Sequence, residues 1–293
     1  VSTDEEEFVT DQIVIGTPGT IANWLRCLGP IRLDASFLKT FVLDEADVMI
    51  LEEGFFNISL RIKKRLPSTC QILLFSATFD DEVVEFAREF VPDPIEIRVK
   101  RTQLPLKNIK QFHLRFSDWT DKYQALTDIY GGFDVGQAII FCATRKEASW
   151  LEGRLNGDGH RVAILSGELD VKEREAPLEY FRFLMNTSFT DRMCVISPHK
   201  KFSHFGGMPT SVTDIGLDIP QVNLIINWNM PLICSGSADC ETYLHRIGRS
   251  GRFGKNGVAV NFTIDEELDV LRELEDYFDI KIPALTTEDL LDM

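Results

Sequence analysis

Short apolar runs alternate with amphipathic stretches along the chain, at "QIVIGT", "TFVLDE", "CQILLFSAT", "QAIIFCAT", "RVAILSG", "MCVIS", "VNLIINW" and "GVAVNFT". Runs of this length suit strands covered on both faces, and several are followed by helical patterning, which predicts βαβ units and a mostly parallel sheet. Helical periodicity is clear in "DDEVVEFAREFV" and in "TRKEASWLEGRL", where Ala148, Leu151 and Leu155 fall on one face at spacings of three and four. The stretch "DPIEIRVKRTQLPLKNIKQF" breaks the rhythm with Pro94, Pro105 and several charges, so a linker is expected near residues 98–108. The pattern predicts an α/β chain of two parallel-sheet domains, a partial one over residues 1–100 and a complete one over residues 109–293, with residues 101–108 between them.

Composition narrows the partners. With 293 residues and 44% hydrophobic content, the chain can build two modest cores. A formal net charge of −15 argues against nucleic-acid binding over the whole surface, so any such site must be a local basic patch. The six cysteines are scattered without a C-x-x-C pair, which reads as reduced thiols and not as a zinc site or disulfide framework. No apolar segment approaches the roughly 18 residues of a membrane span. The start "VSTDEEEF" is acidic where a signal peptide is basic, so a cytoplasmic or nuclear location is expected.

Two stretches carry candidate chemistry. In "FVLDEADVMI", residues 41–50, the run Phe41, Val42, Leu43 reads as a buried strand that places Asp44 at its carboxyl end. In open α/β sheets that end faces the ligand crevice, so Asp44 can hold a metal ion bridging nucleotide phosphates; an acidic turn capping the next helix is the alternative. In "TYLHRIGRSGRFG", residues 242–254, His245, Arg246, Arg249 and Arg252 stand among glycines. A spacing of three lets Arg249 and Arg252 point to one place on a helical turn, and the glycines leave room for a ligand. Two guanidinium forks suit a triphosphate, where an arginine finger is worth about 10³ to 10⁵ in rate; a solvated basic helix end is the bland reading.

Several motifs in order carry a resemblance to the DEAD-box ATP-dependent RNA helicases over nearly the whole chain. "TPGT" (residues 17–20) resembles the family's motif Ib, "DEAD" (residues 44–47) motif II, "SAT" (residues 76–78) motif III, "IFCATRK" motif IV, "SGEL" the RNA-side motif after it, and "HRIGRSGR" motif VI. "TRKEASWL" and "PLICSGSADCETYLHRIGR" are similar to the mRNA-export branch associated with the nuclear pore, with the translation-initiation branch as nearest competitor. The resemblance implies two RecA-like domains that close on ATP, Mg²⁺ and a bent single strand of RNA held by its backbone. It implies that Asp44 holds Mg²⁺, that Glu45 activates water, that Asp47 and His245 bridge motifs on the nucleotide side, and that Arg249 and Arg252 are the fingers. Asp218 fits the ribose-side aspartate. Thr17, Gly19 and Thr20 look like RNA-backbone contacts, with an ordinary Pro-Gly turn as the alternative. Phe141, Thr144, Arg145, Ser166 and Gly167 are expected on the RNA side of the second domain, although Arg145 also suits a surface residue opening a helix. Ser76 and Thr78 resemble the coupling motif, or cap a helix. A nucleoporin and an export mediator are implied as partners of a monomer active in cytoplasm and nucleus, including the nuclear pore.

The chain also departs from that pattern. No G-x-x-x-x-G-K-[ST] occurs, and Gly254-Lys255 is followed by Asn256. Without a phosphate cradle, this chain alone is expected to be poor at binding and hydrolysing ATP, as a fragment lacking the N-terminal part of the first domain. Between "MCVIS" and "VNLIINW" it carries extra residues near 198–212, including His199, Lys200, Lys201 and His204, and no Ala-Arg precedes Gly216, which leaves Thr213 and Asp214 unplaced. That stretch reads as a basic RNA-facing loop, a surface insertion or a retained intron. Glu173 stands where the family often has glutamine. The reading from a different class is a non-catalytic RNA- or partner-binding module derived from a helicase.

Overall fold

The computed structural model describes residues 7–51, 55–77, 81–98, 108–117, 119–132, 137–166, 192–197, 222–251 and 256–285. The chain divides into two compact units, residues 1–97 and 98–293.

In the first unit, β1 (Glu7–Phe8) pairs in parallel with β2 (Ile31–Arg32), and β3 (Thr40–Leu43) with β4 (Gln71–Leu74). Around them lie α1 (Pro18–Leu25), α2 (Ala46–Leu51), α3 (Phe55–Lys63) and α4 (Asp81–Phe90). The periodicity read in "DDEVVEFAREFV" is that of α4, whose Val83, Phe86 and Phe90 are buried. Phe86 stacks on Phe90 with centroids 5.0 Å apart, and both pack with Leu43 and Ala46. A second cluster joins Leu25, Ala35 and Ile62. Two expectations fail here. "QIVIGT" forms no strand, and Ile13 and Ile15 stay exposed; an apolar run becomes a strand only where a neighbour takes up its peptide groups, and none pairs with it among the described residues. Nor is β3 covered on both faces, because Leu43 is buried while Val42 is 49% exposed.

Among the described residues the second unit holds a six-stranded, wholly parallel sheet. Its strands are β5 (Ile109–Phe116), β6 (Gln137–Phe141), β7 (Arg161–Ser166), β8 (Arg192–Ser197), β9 (Val222–Asn227) and β10 (Gly257–Ile264), in the order β5-β10-β9-β6-β8-β7. Alternate residues of the central strands serve opposite faces. Ala138, Ile140, Leu224 and Ile226 pack with Leu126 and Ile129 of α5 (Trp119–Gly132) and with Ala148, Leu151 and Leu155 of α6 (Arg145–Gly157). Ile139, Phe141 and Ile225 pack with Tyr243 and Ile247 of α7 (Cys240–Ile247) and Leu271 and Leu274 of α8 (Leu268–Phe278). The result is a helix–sheet–helix sandwich in which each fully buried Leu or Ile contributes about 1.5–3 kcal/mol.

The strand order reverses between neighbours β6 and β9. From β6 the chain runs out to β7 and β8 on one side, and from β9 to β10 on the other. Ligands of open α/β sheets bind outside the carboxyl ends of the strands at such a reversal. At the opposite edge, residues 282–285 cover β5: His113 N–H donates to Pro283 O (2.9 Å) and Leu285 N–H to His113 O (2.9 Å).

Candidate nucleotide and nucleic-acid site residues

In the first unit the acidic quartet sits where β3 becomes α2. Phe75 N–H donates to Leu43 O (2.9 Å) and Ala46 N–H to Phe75 O (3.0 Å), so the two strands continue their ladder to the quartet. Glu45 takes a left-handed backbone (φ 53°), unusual outside glycine, which turns the chain from strand to helix in one residue. Asp44 is left exposed at the carboxyl end, its Oδ1 accepting Glu45 N–H (3.0 Å). Asp47 is fully buried: its N–H donates to Ser76 Oγ (3.1 Å) and its Oδ2 accepts Ala77 N–H (3.0 Å). Asp47, in the first turn of α2, is thus clasped to Ser76 and Ala77 just beyond β4, three residues from Asp44. An exposed carboxylate held at a strand end, with Glu45 beside it, offers the hard oxygen donors that Mg²⁺ accepts.

Thr17 caps the start of α1 with its carbonyl, which accepts Ile21 N–H (3.0 Å), while its hydroxyl lies 3.0 Å from that of Thr20. Open space surrounds Gly19 where a Cβ would stand. Hydroxyls and unpaired N–H groups at a helix start suit a phosphate. Thr78 lies outside the described residues.

In the second unit the described candidate residues stand at the carboxyl ends of β6 and β7 and on or just after the helix Cys240–Ile247. Thr144 and Arg145 follow β6 and open α6 through a capping box, with Thr144 N–H donating to Glu147 Oε2 (3.0 Å) and Glu147 N–H to Thr144 Oγ1 (3.2 Å). Arg145 is therefore the first residue of a capped helix, half-buried. Phe141 was expected on the RNA side, but its side chain is core, 1% exposed, under the Arg246 guanidinium at 5.0 Å; only its backbone end reaches the rim, where its carbonyl accepts Trp228 N–H (3.0 Å). Ser166 ends β7. Gly167, Asp218 and Arg252 fall outside the described residues, as do Thr213 and Asp214, the stretch 198–212 and Glu173.

The arginine cluster differs from the expected turn of helix. His245 and Arg246 lie in the last turn of α7, which ends at Ile247, so Arg249 stands beyond the helix. Its Nε donates to His245 O (3.0 Å), and the residue is buried. Gly251 (φ +68°) serves packing: a Cβ there would meet Ile109 Cγ1 at 2.8 Å. The room expected for a ligand is at this position taken by the protein's own core.

Sequence reasoning passed over the polar ladder beneath this rim. Arg246 Nη1 donates to Asn229 O (3.2 Å) and lies 3.4 Å from Asn227 Oδ1. Asn227 Nδ2 donates to Asn261 Oδ1 (2.8 Å), Asn261 Nδ2 to Phe112 O (3.0 Å) and to Tyr243 Oη (3.1 Å), and Tyr243 Oη to Gln111 Oε1 (2.8 Å). Three asparagines inside or directly after apolar strands, in "IINWN" and "AVNFT", were the available signal, because a buried amide needs partners. Below it Lys122, also buried, donates to Trp228 O (3.2 Å). Burial pushes its ammonium below the ordinary value against the pull of Glu267 and Glu147, and burial likewise pushes the Glu267 carboxyl up. The Cys142 thiol is buried, and burial pushes it well above the ordinary thiol value.

A family model described as DEAD/DEAH box helicase matches residues 2–86, and one described as helicase conserved C-terminal domain matches residues 121–254. ATP-dependent RNA helicase DDX25 of Rattus norvegicus is 44% identical over 282 residues, 96% of this chain and 54% of that protein. The chain thus spans about half the length of the curated relatives it matches. S. cerevisiae Dbp5 bound to RNA and ADP BeF3 is similar at a TM-score of 0.80 and 34% identity, over 99% of this chain and 68% of that one. A Dbp5 variant bound to Nup159, Gle1, IP6 and ADP is similar at 0.60 and 32%, over 100% and 70%.

Proposed function

This chain belongs to the DEAD-box ATP-dependent RNA helicase family, and on that premise we propose that the protein containing it couples ATP hydrolysis to remodelling of RNA duplexes or RNA–protein complexes in mRNA export. The observation that carries the proposal is the Asp47–Ser76 clasp beside the exposed Asp44 and adjacent Glu45 at the carboxyl end of a parallel strand. Asp44 would hold Mg²⁺, which supplies charge neutralisation to the phosphates. Glu45 accepts the proton of the attacking water. His245, Arg249 and Arg252 are the second unit's contribution to the same reaction, the guanidinium groups meeting charge that grows on the phosphates. Asp218 is the ribose-side carboxylate. Ser76 and Thr78 couple the reaction to RNA, with Asp47 acting as a positioning residue through Ala77. Thr17, Gly19 and Thr20 in the first unit, and Thr144, Arg145, Ser166 and Gly167 with the backbone end of Phe141 in the second, hold RNA by its phosphates and sugars, independently of sequence.

The phosphate-binding loop of such an enzyme is not among these 293 residues, so the residues present serve the acidic, arginine and RNA-binding parts. The residue ranges 1–100 and 109–293 act as the later part of the ATP-binding domain and the helicase C-terminal domain. We extend to this protein a nucleoporin and an export mediator as partners, and a place at the nuclear pore; the support is the similarity to a Dbp5 variant solved with Nup159 and Gle1. We take it to act as a monomer. Among the described residues no helix is long and apolar enough to cross a membrane.

The test is steady-state ATP turnover of the full-length protein with and without single-stranded RNA. RNA should stimulate turnover, and Asp44→Asn or Glu45→Gln should each lower kcat by at least about 10²-fold. Unchanged turnover in both variants would remove these carboxylates from the chemistry.

A further inference from the structure

We propose that Glu147 and Asn229 are positioning residues that tie the arginine helix to the RNA-side segment 143–145, so that RNA engagement depends on their pairing; this rests on the helicase reading above. Asn229 makes polar contacts to two helices and to the segment between β6 and α6. Its main-chain oxygen accepts Arg246 Nη1 (3.2 Å), its Oδ1 accepts Ala143 N–H (2.8 Å), and its Nδ2 donates to Glu147 Oε1 (3.1 Å). Glu147 spends its other oxygen on Thr144, accepting both N–H (3.0 Å) and Oγ1–H (2.8 Å). Arg246, 8% exposed and stacked over Phe141, is therefore one residue away from the peptide that carries Thr144 and Arg145.

The chemistry of the pair is specific. Position 229 must accept from a peptide N–H and donate to a carboxylate, and an amide does both. An aspartate there keeps the acceptor but has no donor, and it sets a second carboxylate at about the 3.1 Å now spanned by the hydrogen bond. Like charges at that separation repel strongly in a half-buried site. Pairing N229D with E147Q puts one amide and one carboxylate back across the gap with the roles exchanged, so the bond re-forms without altering the size of either side chain.

The experiment is RNA-stimulated ATP turnover in the full-length protein, reading the RNA concentration for half-maximal stimulation separately from kcat, with thermal melts of each variant. N229D should raise the half-saturating RNA concentration roughly 3- to 30-fold, the range expected of residues that couple sites. N229D/E147Q should return it to within about threefold of wild type, a non-additivity that a simple loss of packing does not give. If N229D lowers the melting temperature but leaves half-saturation unchanged, or if the double variant is no better than N229D, the pair is structural only and the proposal falls. If N229D does not fold, E147A in the wild-type background takes its place, and unchanged half-saturation there likewise overturns the proposal. A wild-type protein whose turnover ignores RNA would overturn the helicase reading itself, before any variant is compared.

Discussion

At the scale of single residues, the second unit depends on an asparagine where a strand ordinarily carries an aliphatic side chain. Asn261 is fully buried in β10 and joins three elements, accepting from Asn227 and donating to Phe112 O and Tyr243 Oη. Asn261→Leu keeps the branched side-chain skeleton but leaves the Asn227 amide, the Phe112 carbonyl and the Tyr243 hydroxyl each short of a partner. Each such loss costs about 1–3 kcal/mol, so the variant should be destabilised by about 2–5 kcal/mol in chemical denaturation. A loss within experimental error would mean that the ladder is repaired by water or by side-chain rearrangement. The same residues show what the sequence concealed. Asp44 and Glu45 announced themselves because carboxylates after an apolar strand are conspicuous, whereas Asn227, Asn229 and Glu147 look like ordinary polar residues until the fold brings residues 34 to 86 positions apart into contact. The side chain of Phe141, a residue expected on the RNA side, is core for the converse reason: its neighbours in sequence are at the rim, but β6 is central and the side chain packs with Tyr243 and Ile247 of α7.

At the scale of elements, continuous apolar runs were legible and runs interrupted by charged or amide residues were not. The strands β3, β4 and β6 to β10 each coincide with a run visible in the sequence. The strand β5 was lost inside "KNIKQFHLRF", where charged and amide positions interrupt the pattern, because one edge of it faces residues 282–285 instead of a full neighbour. "QIVIGT" erred in the other direction: its composition favours a strand, yet a strand needs a partner as well as a propensity. The segment on β5 is itself pinned by charge. Glu275 of α8 accepts Ile282 N–H (2.7 Å) and Lys281 Nζ (3.1 Å), while His113 Nδ1 lies 2.8 Å from Ile282 O. Burial alone pushes the Glu275 carboxyl up, but the Ile282 N–H and the Lys281 ammonium outweigh it and hold it below its ordinary 4.5. A carboxyl lowered on folding contributes stability that is present above its unfolded value and lost as the pH falls through the folded one. Amide exchange of Ile282 and Leu285 should therefore accelerate, relative to the core, as the pH drops below 4.5, and Glu275→Gln should flatten that dependence. An identical pH profile in the variant would show that another group holds the segment.

At the scale of the whole molecule, the two units play unequal parts in the account. Among the described residues, the first contributes carboxylates and a helix start beside two two-stranded sheets; the second contributes a six-stranded sheet with helices on both faces and the arginine-bearing helix. The expectation of two parallel-sheet domains was readable because strand and helix periods alternate on both sides of a charged, proline-bearing segment. The order of the six strands was not, since it depends on which apolar runs pair, and parallel runs of similar composition leave that open. On the proposed function, linkage makes a quantitative demand: if ATP state alters RNA affinity, RNA must alter nucleotide affinity by the same factor. The most direct test is the affinity of the full-length protein for a short single-stranded RNA, measured with ADP–BeF3 and again with ADP. The account predicts binding at least about tenfold tighter with ADP–BeF3, and loss of that difference in Arg249→Ala. Equal affinities in the two nucleotide states, and the same affinity without nucleotide, would contradict ATP coupling and leave an RNA-binding module in its place.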